Sequence, residues 1–227
     1  VFFCSRNGEK VPYLPPTNDE HGNFGLPKWR TFREVTHNME ESKQLHMNFP
    51  EKRLKFFRLL RDGQYWKNLP ENLQYEAMGE KLKLGGGKTG FFRRLAWNQP
   101  SPTLVTDPTM PATDLCHPSK DRPLSIQEYA RIQEFPDDWK FFGELSDIYK
   151  QIGNAVPISL GKAIGKQVVK LLQHEPLDLP PAGFPFSRYT YTDDVSFKKL
   201  MEMKKQKALK NQHQEKQPEL ELDFGVA

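Results

Sequence analysis

Only two cysteines, Cys4 and Cys116, occur in 227 residues. No Cys-x-x-Cys pair exists, which excludes a zinc ribbon and a redox dithiol. Cys116-His117 offers two adjacent ligands but no second pair at metal spacing, so no metal site is expected. So low a count fits a reducing cytoplasm. No apolar run approaches the roughly eighteen residues of a membrane helix, so an integral membrane protein is not expected. No basic leader with a cleavage site marks secretion. Apolar residues are few, at 37% with a mean hydropathy of -0.73. A chain of this length still buries a core without disulfides, so the shortfall points to an exposed tail or an interaction face. His-Glu-x-x-His, a nucleophile elbow and paired catalytic carboxylates are all missing; Asp137-Asp138, after Pro136, reads as a turn. The chain starts at Val1, and Val1–Ser5 reads as a strand, so the segment is expected to be the back part of something longer.

The net charge of +4 is mild, but it is unevenly spread. Residues 26–100 carry 15 basic and 8 acidic side chains, a net of +7, and the remainder carries 18 and 21, a net of -3. A basic stretch suits a polyanion-binding face, and equally a solvated helical surface. Within it, Pro50, Leu54, Phe57 and Leu60 or Arg61 predict a helix stopping at Gly63. A second helix is expected over 71–83. Phe91–Trp97 and Thr103–Thr106 read as short strands around the turn Asn98-Gln99-Pro100-Ser101-Pro102. Ser125-Ile126-Gln127-Glu128 is a capping box opening a helix that Pro136 ends. Val156, Leu160, Ile164, Val168 and Leu172 recur every four residues and predict a helix from about Val156 to Gln173, with Pro157 in its first turn. Its Gly161 and Gly165 read as small residues for helix packing. Cys4 is expected in the core and Cys116 in a structured loop. After Glu175, prolines form a linker, followed by a Lys/Gln/Glu-rich helical tail over Ser196–Lys216.

Gly85-Gly86-Gly87-Lys88-Thr89-Gly90 ends like a phosphate-binding loop, yet Leu82 stands where that motif needs glycine, and no hydrophobic strand precedes it. An NTPase is therefore disfavoured. An open, basic loop that lets a partner approach its backbone is the better description, with Lys88, Arg93 and Arg94 placed for phosphates or base edges.

Three stretches in order resemble the carboxy-terminal part of the cytosine-5 DNA methyltransferases. They are Arg93–Trp97 with Pro100-Ser101-Pro102-Thr103-Leu104, then Arg122–Pro136, which resembles the ninth conserved motif, and Tyr149–Pro157, which resembles the tenth. Val1–Arg6 is similar to the strand closing the eighth. The resemblance implies an α/β protein: closing elements of a Rossmann-like S-adenosylmethionine-dependent methyltransferase domain, plus a small mixed α+β target recognition domain. The implied divisions are 1–25, the last strand and exit of the large domain; 26–118, target recognition; 119–145, the ninth-motif helix organising it; 146–175, the tenth motif and a helix returning to the cofactor domain; and 176–227, linker and tail.

In such enzymes the target cytosine is flipped from double-stranded DNA, a Pro-Cys thiolate attacks C6, a glutamate assists at N3, and C5 receives the methyl group of S-adenosyl-L-methionine. The Pro-Cys, Glu-Asn-Val and glycine-rich cofactor motifs are absent here, so no catalytic residue carries over. Inactivity alone is expected, with an amino-terminal catalytic half, on the same chain or a separate subunit, as partner. By position, Asn154, Ala155, Val156 and Phe135 would face the cofactor, the Gly-Asn step beginning a helix. Arg93, Arg94, Thr103, Lys88 and Thr89 would contact DNA, and Glu128 and Arg131 are spaced to pair. The implied role is target recognition and cofactor-site completion, within a restriction-modification system; the rival reading is a non-catalytic, sequence-specific DNA-binding module.

Overall fold

A computed structural model describes residue 6 and residues 13–85, 87–185 and 198–206. Contacts divide the chain into two units, Val1–Pro181 and Ala182–Ala227. In the second, residues 198–206 are helical. Val1–Ser5, with Cys4, and the end of the charged tail lie outside the described residues.

The first unit is built from short helices whose ends are set by local chemistry. Helix α1 (Phe32–Val35) opens on a reciprocal cap, Thr31 with Glu34. Helix α2 (Glu51–Phe57) follows Pro50 as its N-cap, and α3 (Glu71–Met78) follows Pro70. Proline at such a boundary has no N–H to lose. The helix expected over 71–83 tightens at Gly79 into a 3-10 turn, Gly79–Lys83. Helix α4 (Ile126–Ile132) carries the expected capping box: Glu128 N donates to Ser125 Oγ at 3.1 Å, and Ser125 N to Glu128 Oε2 at 2.6 Å. It ends before Pro136, because Glu134 turns into the left-handed region at φ 66°.

Helix α5 (Leu145–Asn154) was not anticipated, and α6 (Ile158–Leu172) starts one position after Pro157, which caps it. The Gly153-Asn154 step therefore ends a helix instead of beginning one. The Ala155–Pro157 linker separates the two.

No extended strand forms among the described residues; β pairing is confined to the isolated bridges Asp19–Lys28, Arg94–Cys116 and Cys116–Pro123. The strands expected at Phe91–Trp97 and Thr103–Thr106 are loops. Phe92 sits at φ 48°, which breaks an extended run, and the prolines at 100, 102, 108 and 111 that flank the second stretch deny a ladder the donors on either side of it. The α/β expectation thus has no counterpart in the described residues.

Two apolar clusters form the interior. One gathers α4 and α5 around Tyr129, Tyr149 and Ile152 with Leu104, Leu115 and Leu124. The second packs α2 and α3 against Phe91, Phe92 and Trp66. Cys116 belongs to this second cluster and is fully buried. A buried polar girdle lies beside them. Arg122 makes a two-pronged pair with Glu128 (2.9 and 3.0 Å), and Arg53 pairs with Asp114. Arg131 pairs with Asp137, not with Glu128. Spacing made Glu128 available to Arg131, but the capping box turns its carboxylate inward to Arg122.

Candidate functional site

The glycine loop is tethered at its C-terminal end. A Cβ at Gly90 would lie 2.0 Å from the Ala112 carbonyl oxygen, so only glycine permits this approach. Asp114 N donates to Gly90 O at 2.9 Å, and Trp66 Nε1 donates to Lys88 O at 3.0 Å. Thr89 is exposed and Lys88 half-buried at φ 52°. The loop is a held projection that presents Lys88 and Thr89 together.

The two adjacent arginines have different fates. Arg94 is buried, and its guanidinium donates to His117 O, Lys120 O and Phe57 O at 2.8–2.9 Å and to Asp121 Oδ1 at 2.5 Å. It knots together segments from three parts of the chain and turns no donor outward. Arg93 is half-buried, with Nε donating to Asp114 O at 3.3 Å; burial lowers its affinity for a proton. Of the residues expected at DNA, the exposed ones are therefore Thr89 and Thr103, with Lys88 half-exposed beside them.

Thr103 is exposed and follows a turn at 97–98 that main-chain hydrogen bonds brace. Phe32 N donates to Gln99 O and Arg33 N to Trp97 O. Arg33 lies 5.0 Å over the Trp97 ring, with Nε donating to Asn98 at 3.2 Å. Arg30 and the exposed Trp29 line a depression with Pro100, a Trp-Arg pair within the basic stretch.

Asn154 closes α5, and Ala155 and Val156 begin the linker to α6. Gln133 Nε2 donates to Ile152 O (3.0 Å) and Ala155 O (2.9 Å), and Ser159 N donates to Glu134 Oε2 (2.5 Å). The residues next to Phe135 therefore pin both ends of the linker. Phe135 itself is half-buried against Trp139 and Phe141. Asn154 and Val156 are exposed, and the Asn154 side chain makes no hydrogen bond among the described residues. This end of α5 and its linker thus expose one uncommitted amide and one apolar side chain. The Ser159 amide is not free for a ligand, because Glu134 holds it.

No side chain described on this surface is an activated nucleophile. Burial pushes the Cys116 thiol up to about 12, and its Sγ faces the His117 and Lys120 carbonyls. Burial also pulls His117 down to about 3; its Nδ1 accepts from Ser119 N and Lys120 N, so it stays neutral and structural. Among the described residues no His/Cys/Asp/Glu group could hold a metal, and no helix is long and apolar enough to cross a membrane.

The C-5 cytosine-specific DNA methylase family model matches residues 6–170. The type II methyltransferase M.PspPI of Psychrobacter sp. (strain TA137) is 50% identical over 131 residues, 58% of this chain and 32% of that protein. The type II methyltransferase M.Eco47II of Escherichia coli is 51% identical over 124 residues, 55% of this chain and 30% of its own length. The DNA (cytosine-5)-methyltransferase CMT2 of Arabidopsis thaliana is 41% identical over 102 residues, 43% of this chain and 8% of that protein. The chain thus spans about a third of the length of the bacterial relatives it matches.

Proposed function

This chain belongs to the C-5 cytosine-specific DNA methylase family, and from that premise we propose that it supplies target recognition and one wall of the cofactor site to a cytosine-5 DNA methyltransferase. The substrate is double-stranded DNA, the bound cofactor supplies the methyl group, and the setting is a cytoplasmic restriction-modification system, as the type II relatives suggest. Thr89 and Thr103 hold backbone phosphates through hydroxyl or amide donors, with Lys88 adding charge; such contacts set register on the duplex. Arg93 is a weaker contact than its position implies, and Arg94 serves by holding the platform. Asn154 and Val156 lie against the cofactor, with Phe135 behind the linker. No residue of this chain performs the covalent step, so a catalytic portion with the Pro-Cys motif and the Rossmann-like strands must accompany it, and the chain alone is inactive.

The observation that carries this reading is α6. Ile158, Leu160, Val169 and Leu172 of this helix are exposed, as is Val156 in the linker before it, and Gln167 is the helix's one buried residue. So much apolar surface left uncovered around one helix suits docking, and the catalytic portion is its occupant. Mixing the chain with that portion should restore transfer of labelled methyl groups to cytosine. If both parts fold and associate yet methylate nothing, the reading fails in favour of a non-catalytic DNA-binding module.

A further inference from the structure

Gly153 occupies the last turn of α5, where a Cβ would stand 2.5 Å from the carbonyl oxygen of Val105, 2.8 Å from its carbon and 2.9 Å from the Cα of Thr106. All three neighbours are backbone, so no side chain can swing aside. The nearest approach is about 1 Å short of ordinary van der Waals contact, and any larger residue must push two pieces of main chain apart. Those pieces are not arbitrary. Val105 and Thr106 follow the exposed Thr103, and Asn154 follows Gly153 directly. Between them, Leu104 and Ile152 are buried in one cluster. Gln133, itself 7% exposed, holds the carbonyls on either side of the Gly153-Asn154 step.

We infer that Gly153 is a positioning residue that keeps the DNA-gripping segment at Thr103 in register with the cofactor wall at Asn154–Val156. This rests on the proposed function, since it assigns DNA to one side of the contact and the cofactor to the other. Methyl transfer needs the acceptor carbon and the donor group within about 3–3.5 Å and aligned, and a displacement of about 1 Å can cost on the order of 100-fold in rate. The glycine sets that displacement to zero by letting two backbones touch.

In the enzyme assembled with its catalytic portion, Gly153→Ala should lower kcat about 100-fold. The separate affinities for DNA and for S-adenosylhomocysteine should each change less than about 3-fold, while the factor by which either ligand tightens the other falls toward one. A residue serving only stability would lower the melting temperature and leave kcat and the coupling factor of the folded enzyme as in wild type. Gln133→Ala, which frees the same peptide run without adding an atom, should show the same pattern more weakly, and it decides the matter if Gly153→Ala does not fold. Thr103→Val and Asn154→Ala test the underlying reading: the first should weaken DNA binding and the second cofactor binding. If neither does, the functional reading fails and the inference with it. If both do, while Gly153→Ala and Gln133→Ala keep wild-type kcat and coupling, the inference alone is overturned.

Discussion

Between Arg53 and Glu128 the chain buries charge, whereas between Val156 and Leu172 it exposes apolar surface. In the first region Arg53, Arg94 and Arg122 meet Asp114, Asp121 and Glu128 among loops that form only isolated β bridges. Loops cannot satisfy one another's carbonyls through a ladder, so a forked guanidinium does it instead; Arg94 alone takes three main-chain oxygens. In the second region the backbone is satisfied by fifteen helical residues, and what is left over is greasy side chain. One region is closed on itself by polar contacts, and the other leaves apolar side chains uncovered. Under the proposed function the difference has a reason: a recognition platform holds its shape before DNA arrives, while a docking helix keeps its face free until the rest of the enzyme covers it.

The sharpest way to break this contrast is to cut the polar knot. Arg94→Ala should cost about 3–5 kcal/mol, because removing one member of a buried pair strands its partners. Urea unfolding of the whole chain reads this directly. A loss below about 1 kcal/mol would place Arg94 among surface arginines and return it to the DNA face.

The next test turns on acid. Burial holds His117 near 3, far below its ordinary 6.5, so it is neutral when folded and binds a proton when unfolded. Its contribution is therefore fully present above about pH 6.5 and is lost as pH falls toward about 3. Asp114 runs the other way: burial, against the pull of Arg53, lifts it to about 7. Its share is full below about 3.8 and is lost as pH rises toward 7. His117→Asn, whose carbonyl can take over the Ser119 and Lys120 amides, should flatten the acid loss between about pH 6.5 and 4 relative to wild type. An unchanged slope would mean that the ring is solvated and the platform open.

For the docking region the expected effect on the isolated chain is small. Leu160→Glu should change its stability by no more than about 0.5 kcal/mol, as at an ordinary surface site, yet weaken association with the catalytic portion by tenfold or more, the cost of burying an unpaired carboxylate. Titration of the two parts by calorimetry separates these effects, and equal association of variant and wild type would leave the α6 face without its proposed role.

Much of this contrast can be traced in the sequence, though unevenly. The Ser125–Glu128 box and the four-residue recurrence from Val156 to Leu172 are local signals, and α4 and α6 lie where those signals place them. Leu145, Ile148, Tyr149 and Ile152 carry a helical face as clear as that of α6, but the resemblance implies a helix start at Gly153-Asn154, the step that ends α5. The strand expected at Phe91–Trp97 fails for a local reason, the φ of 48° at Phe92. The placement of Arg93 and Arg94 was not legible at all. Charge and spacing do not distinguish a solvated arginine from one whose acceptors lie 23 to 37 residues away. The close approach at Gly153 is hidden for the same reason, because its neighbour Val105 is remote in sequence.

The smallest effect tests whether the α6 surface is open in the chain by itself. Gly161 lies within the helix, and a Cβ there would meet nothing within 4 Å. Alanine at this position removes backbone freedom from the unfolded chain and touches no neighbour, so stability should rise by about 0.5–1 kcal/mol. The same exchange at Gly153 adds the same methyl group in the neighbouring helix and should destabilise instead. Thermal melting of the two variants side by side holds the chemistry of the substitution constant and varies only the surroundings. A gain at Gly161 with a loss at Gly153 assigns the difference to packing, since helix propensity favours alanine at both positions. A loss at both would mean that α6 is already covered within the chain, and its apolar side chains would then have no need of a second body.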